Sequence, residues 1–285
     1  MTISYPVMVM KSKTMSFVGA AAVFFAVFLV FASGCVSQGE EPETITLAGS
    51  TTVLPVAQTV AEIYMDEHAT ADIQISGGGS GVGVTAAKEG TADIGMLSRE
   101  LKSSEKEGSD LKEYVIGRDG IALIAYPSNS VSDLTLAQIK AIYQGKITNW
   151  KEVGGEDLEI VLIGRDSASG TREFFTEFVL KKEDAAKTMQ EYSSNGAVQK
   201  AVAQTPGAIG YVSLEYVDGT VKAFSVSGVK ATVENVINGS YTINRPLLMI
   251  TNGEPTGLAK KFLAFILSDE GQQIIAENGF VPVTV

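Results

Sequence analysis

The sequence predicts an α/β fold of layered strands and helices. Short apolar strands alternate with amphipathic helices from Thr44 to the C-terminus. Three Gly/Ser/Thr-rich turns each stand between a strand and a helix, and Pro127-Ser128-Asn129 breaks a long apolar run, which reads as a crossing between two lobes. The 285 residues, 45% hydrophobic, suit a substantial core in one domain or two lobes.

In chain order, Ile45-Thr46-Leu47-Ala48 is a strand ending at Gly49. Residues 52–65 form a helix, because Val53, Ala57, Val60 and Tyr64 make one apolar stripe, with Ser50 or Thr51 to cap it. Ile73-Gln74-Ile75 is the next strand. Gly77-Gly78-Gly79-Ser80-Gly81-Val82-Gly83 follows, then a short helix to Lys88 that Gly90 stops. Residues 92–96 are strand-like, as are Val115-Ile116 and residues 121–126. Residues 136–143 form an amphipathic helix closed by Gly145. The buried strand Ile160-Val161-Leu162-Ile163 runs into Gly164-Arg165 and the third turn, Ser167-Ala168-Ser169-Gly170-Thr171. Helices are expected over 171–180 and 195–204, the second ended by Pro206-Gly207. A strand follows over 208–212, near the return crossing. A further strand spans 241–251 despite Pro246, and a helix over 257–267 is extended by 271–277.

The first part of the chain stands apart from this body. Lys11 and Lys13 precede an apolar run, residues 17–32, and then Ser33-Gly34-Cys35, the order of an export signal. The run of about 16 residues falls short of the ~20 that span a bilayer, although a retained N-terminal anchor also fits. Initiation at Met10 or Met15 would keep an apolar segment. Cys35 is the sole cysteine, so it has no internal disulfide partner. Ala32-Ser33-Gly34-Cys35 resembles a bacterial-type lipobox, which would make Cys35 a lipidation site. Residues 1–34 are therefore read as signal or anchor and 35–43 as a polar tether. Lobe I comprises 44–126, lobe II 127–212, and the return to lobe I 213–285. Removing Lys11 and Lys13 takes the formal charge from −11 to −13. So acidic a body excludes nucleic acid as a partner.

The three turns point to an anion. A helix N-terminus carries unpaired N–H groups and partial positive charge, and three converging would surround a small oxyanion with donors. Each turn by itself is equally well explained by Ser50, Thr51, Ser80 or Ser169 capping a helix. Arg165, just before the third turn, offers a planar fork for a tetrahedral anion, or alternatively a salt bridge to Asp166 or another carboxylate. Arg172, one turn later, reads equally as a surface residue. Other chemistries lack their residues. His68 is the sole histidine and lies in a polar stretch, which argues against a histidine triad or a His-rich metal site. Val82 breaks the nucleophile-elbow pattern at Ser80, and no Gly-Lys-Ser/Thr follows the glycine turn. No cofactor, metal or catalytic residue is expected.

Several segments, in this order, carry a family resemblance. They are Gly49-Ser50-Thr51-Thr52-Val53, Ser76-Gly77-Gly78-Gly79-Ser80-Gly81, Asp93-Ile94-Gly95-Met96 with Ser98-Arg99-Glu100-Leu101, Ile147-Thr148-Asn149-Trp150-Lys151, residues 165–171, and Gly207-Ala208-Ile209-Gly210-Tyr211-Val212. The chain resembles the phosphate-binding proteins of phosphate ABC importers, from about Thr44 to its end. The resemblance implies a two-lobed periplasmic-binding-protein-like fold of type II, with two chain crossings and inorganic phosphate held in the cleft. It also implies the importer's transmembrane subunits as partners, a monomer, and an extracytoplasmic location at the membrane through the N-terminal anchor or lipid. By position, Ser50, Thr51, Ser80 and Gly81 on one lobe, and Arg165, Ser169, Gly170 and Thr171 on the other, match the family's phosphate contacts. The chain departs from some members by carrying Ser98-Arg99 where an aspartate accepts the proton-bearing oxygen of phosphate; Ser98 and Arg99 are, by that position, themselves candidate phosphate ligands. Asp119 is the candidate replacement, and a salt bridge to Arg118 or Arg99 is its alternative role. The readings that compete with phosphate are another oxyanion (tungstate, molybdate or sulfate) and a surface phosphohydrolase.

Overall fold

The computed structural model describes residues 41–283. The run at 17–32, Cys35 and the start of the tether lie outside the described residues. Among the described residues no helix is long and apolar enough to cross a membrane.

The chain opens with β1 (Glu43–Gly49), α1 (Leu54–Glu67), β2 (Ala71–Ser76), α2 (Ser80–Glu89), β3 (Ile94–Leu97), a single turn α3 (Ser103–Lys106) and the long β4 (Leu111–Ala125). There follow β5 (Asp133–Leu134), α4 (Leu136–Tyr143), β6 (Val161–Arg165), α5 (Gly170–Phe178), β7 (Gln190–Tyr192), α6 (Asn195–Gln204) and β8 (Ala208–Ser213). The remainder is β9 (Lys222–Ala223), β10 (Ser225–Val226), β11 (Val229–Lys230), α7 (Val233–Ile237), β12 (Asn244–Asn252), α8 (Gly257–Ile266) and α9 (Asp269–Glu277). The principal sheet runs β2-β1-β3-β12-β4-β8-β6-β7, with β9 also on β4. β1 is parallel to β2 and β3, and β6 is parallel to β7 and β8, so each half of the sheet is fed by helical crossovers.

Two residue pairs locate the divide between halves. Ile116 packs in a core with α1, α8 and α9, whereas Ile121, five residues on, packs in a second core with Trp150, Phe175 and Tyr211. On the return, Ile243 belongs to the second core and Leu247 to the first. β4 spans both. Its first part pairs with β12 up to the Gly120–Asn244 register, and from Ile121 it pairs with β8. The crossings expected at Pro127 and after Val212 are therefore displaced. Pro127-Ser128-Asn129 is a turn closed by Asn129 N–H donating to Tyr126 O at 3.0 Å. Residues 213–243 stay with the second core through Phe224, Val226, Val236 and Tyr241. A proline ends strand pairing whether or not the chain changes lobe, so its sequence signal does not separate the two cases. Val115-Ile116 and 121–126, expected as separate strands, are one.

Helix boundaries also differ where capping decides them. Ser268 Oγ accepts from Gly271 N, so α9 is a separate helix rather than an extension of α8. Ser169 Oγ caps α5 by accepting from Arg172 N at 3.2 Å. Ser80 is no cap: α2 starts from Gly79, and Ser80 Oγ accepts instead from Ser98 N at 3.0 Å.

Candidate anion-binding site

β1, β2 and β6 each end in a turn that opens a helix, and the three turns meet between the halves. Gly81 N–H donates to Ala168 O at 3.0 Å, joining the second turn to the third. Gly79 N–H donates to Gly49 O at 2.8 Å, joining the second to the first. Glycine is required at this approach, because Gly79 adopts φ 98° and a Cβ there would run into the Ala168 carbonyl. Gly170 faces Ser80 and Ser98 so closely that a Cβ would collide with Ser80 Oγ.

Ser50, Thr51, Thr52, Ser80, Ser98, Ser169 and Thr171 are all buried here. Their hydrogen bonds set the polarity of the site. Ser50 Oγ accepts from Thr52 N (3.2 Å) and Val53 N (3.4 Å), Ser80 Oγ from Ser98 N, and Ser169 Oγ from Arg172 N. Thr52 Oγ1 accepts from Asn195 Nδ2 at 3.0 Å and from Arg245 Nη2 at 3.1 Å, which directs its own proton towards Thr171 Oγ1 at 3.5 Å. A hydroxyl has one proton and two lone pairs, so Ser50, Ser80 and Ser169, which accept from backbone N–H groups, can still donate, with Ser80 Oγ also 3.4 Å from Ser98 Oγ. Thr51 Oγ1 and Arg245 Nη1 are buried with no partner among the described residues.

Two guanidiniums lie in this centre. Arg165 is 1% exposed; its Nε donates to Tyr192 O (3.2 Å) and its Nη2 to Ser193 O (2.9 Å), and it forms no ion pair among the described residues. The salt bridge with Asp166 is therefore not made, and that carboxylate acts on Arg165 only through space. Burial pulls the Arg165 guanidinium down to about 10, so it stays cationic at neutral pH. Arg172 is not a bystander: its Nη1 donates to Arg165 O at 2.9 Å and pairs with Glu191 at 2.6 Å, bracing the end of β6.

Arg245, on β12, is fully buried and pairs with Asp119 Oδ2 through Nη2 at 2.9 Å and Nε at 3.3 Å. Ser213 Oγ donates to Asp119 Oδ1 at 2.8 Å, and Leu214 N–H lies close by. The salt-bridge alternative for Asp119 is what the structure contains, with Arg245 in place of Arg118 or Arg99. A carboxylate offers about four lone-pair positions, and these neighbours take them. Burial raises the Asp119 carboxyl, and Arg245 opposes that shift. Arg118 reaches outward to Asn244 Oδ1 at 2.6 Å. Arg99 also leaves the hydroxyl cluster: it binds Glu105 through both Nη atoms at 2.7 Å and approaches Glu173 through Nε at 2.7 Å.

The sequence reading missed Thr52's pivotal role, Asn195, Ser213 and Arg245. A signal for Asn195 was present, because Ser193-Ser194-Asn195-Gly196 is a fourth polar turn opening a helix after a strand. Arg245 carried a signal too, a lone cation inside an apolar strand.

A family model described as a PBP superfamily domain matches residues 36–270. The chain belongs to this superfamily. The phosphate-binding protein PstS of Bacillus subtilis is 37% identical over 281 residues, covering 92% of this chain and 93% of that one. A candidate phosphate ABC transporter substrate-binding protein from Clostridium perfringens, solved with bound phosphate, superposes with a TM-score of 0.83 at 45% identity, over 85% of this chain and 100% of the other. An ABC-type phosphate transport receptor from Vibrio cholerae gives a TM-score of 0.70 at 34% identity, over 83% and 99%. The PBP chain thus has the two-lobed type II fold, and its relatives are phosphate-binding proteins.

One further acid in this PBP site has a measurable consequence. Glu215, beside Asp119, is pushed up to about 8 by burial and then by the Asp119 charge. The folded protein keeps a proton that the unfolded chain releases above about pH 4.5, so stability falls as pH rises from there towards 8. Glu215→Gln removes this loss. Because the group is only half-buried, the gain at pH 8 is discounted to about 1–2 kcal/mol, or ~4 °C in melting temperature, with little change at pH 4.5. Thermal melts of both proteins across that range check it.

Proposed function

We propose that the chain is an extracytoplasmic receptor that captures inorganic phosphate between its lobes and delivers it to the membrane subunits of an ABC importer, without covalent chemistry. The observation that carries this reading is the pairing of Arg165, a buried cation with only carbonyl partners, with the buried hydroxyls of Ser50, Ser80 and Ser169, which already accept backbone N–H bonds and so have protons to donate. An oxyanion satisfies both at once. The ligand set is Ser50, Thr51, Ser80, Gly81, Ser98, Arg165, Ser169, Gly170 and Thr171, with Thr52, Asn195 and Arg245 orienting them. The hinge lies where β4 and β12 pass from one core to the other, near Gly120 and Asn244. The receptor is a monomer held at the membrane by lipid on Cys35 or by its N-terminal segment.

Calorimetric titration of ligand-stripped protein with phosphate is expected to give saturable binding at one site. A folded, stripped sample that binds no phosphate overturns the reading. The donor polarity of the hydroxyls favours tetrahedral dianions in general, so sulfate is titrated alongside. Tighter binding of sulfate would make this a receptor for a different oxyanion.

A further inference from the structure

We propose that Glu173 is a latch, a positioning residue that holds the lobes closed and sets the rate at which ligand leaves; this rests on the phosphate-receptor reading. Glu173 lies in the first turn of α5, two residues beyond Thr171, and so moves with the lobe that carries Arg165. Across the cleft, its Oε2 is 2.7 Å from Arg99 Nε and its Oε1 is 2.9 Å from Lys102 Nζ. Arg99 and Lys102 follow β3, on the opposite lobe. The acid therefore carries two ion pairs from one half of the molecule to the other, at the mouth of the hydroxyl cluster.

The partners differ in how firmly they are held. The Arg99 side chain is 6% exposed and fixed by Glu105 through both Nη atoms, with a further bond from Nη1 to Glu100 O at 2.8 Å. It stays in place, and stays neutralised, when the lobes separate. Its Nε reaches Glu173 as an ion contact and not as an aligned hydrogen bond. Opening breaks this contact without stranding a buried charge, which suits a contact made and broken in every cycle. Glu173 is 21% exposed and Lys102 49%, so water and salt reach the latch in a way that they do not reach Arg165. Among the described residues, the other contacts between the lobes, away from the Arg245 bond to Thr52 at the hinge, are uncharged, among them Gly81 N to Ala168 O and Tyr216 Oη to Thr51 O at 3.1 Å. Closure strength thus has a salt-sensitive component separate from the anion's own contacts. Arg99, expected from its position to touch the ligand, acts instead as the anchor for this component.

The test is stopped-flow measurement of inorganic phosphate binding and release by the full mature chain, for the parent protein and for Glu173→Asp, Glu173→Gln and Glu173→Lys. The latch predicts release rates that rise in that order, about tenfold for Glu173→Gln, with association rates within about twofold of the parent. It also predicts that raising NaCl speeds release from the parent but not from Glu173→Gln. Equal release rates across the series overturn the latch, as does a loss of affinity that lies wholly in association. A parent chain that binds no phosphate overturns the receptor reading instead. Melting of the ligand-free proteins guards against a folding defect: the latch predicts little change, and the salt dependence of release is read on the folded Glu173→Asp chain if the others melt early.

Discussion

Replacing Arg165 by methionine is expected to weaken phosphate binding by about a thousandfold while leaving the ligand-free protein as stable as its parent. Removing one partner from a buried, hydrogen-bonded charge pair costs about 2–5 kcal/mol, and about 4 kcal/mol corresponds to three decades of affinity. Methionine has similar length and flexibility but no donors. In the ligand-free protein the balance is different. Arg165 is desolvated, its bonds end on the Tyr192 and Ser193 carbonyls, and it has no ion-pair partner among the described residues. Exchanging such a cation for an apolar side chain gives back its desolvation cost and leaves the Ser193 carbonyl short of a donor, while Tyr192 O keeps the Asp166 N–H at 3.1 Å, so the two effects oppose each other. The measurement is a pair of melts, with and without phosphate, and a titration. The melting rise on adding phosphate should vanish, and the ligand-free midpoint should move by no more than about 2 °C. A large drop in the ligand-free midpoint with affinity retained would mean that Arg165 braces β6 and β7 instead of holding an anion.

How far the sequence discloses this site depends on the range of the interactions. The three turns were legible because glycine geometry, helix starts and hydroxyls are local features, readable within about ten residues. Ser169 could be recognised as a cap on that basis. What the turns become together was not legible. Ser80 bonds Ser98, 18 residues away, and Thr52 bonds Asn195 and Arg245, 143 and 193 residues away. No spacing rule reaches so far. The same distance hid the partner of Asp119, whose nearby candidates Arg118 and Arg99 are taken by Asn244 and by Glu105 and Glu173. The lobe divide was misplaced for a related reason: strand β4 is continuous through both cores, and only its pairing partners change.

The second large effect is expected at Asp119, and its direction separates two roles for that residue. The fully buried charges of the centre are Arg165, Arg245 and Asp119, two positive and one negative. Asp119→Asn leaves the Arg245 guanidinium without its counter-charge, which should destabilise the ligand-free protein by about 3–5 kcal/mol, or roughly 10 °C in melting temperature for a chain of this size. The added net positive charge should then strengthen anion binding, so that phosphate raises the melting temperature of Asp119→Asn by more than it raises the parent's. Phosphate and sulfate should gain affinity together, because the change is one of field and not of a specific contact. An Asp119 that accepted the proton of bound phosphate would behave differently: its asparagine variant would lose phosphate affinity and gain only sulfate. Ser213→Ala provides a scale between these limits, since it removes one neutral donor to Asp119 Oδ1 and keeps the Arg245 pair. It should cost about 1–2 kcal/mol of stability and leave the ratio of phosphate to sulfate affinity unchanged. Titrations of the two variants with both anions therefore decide whether Asp119 acts on the ligand directly or only through Arg245.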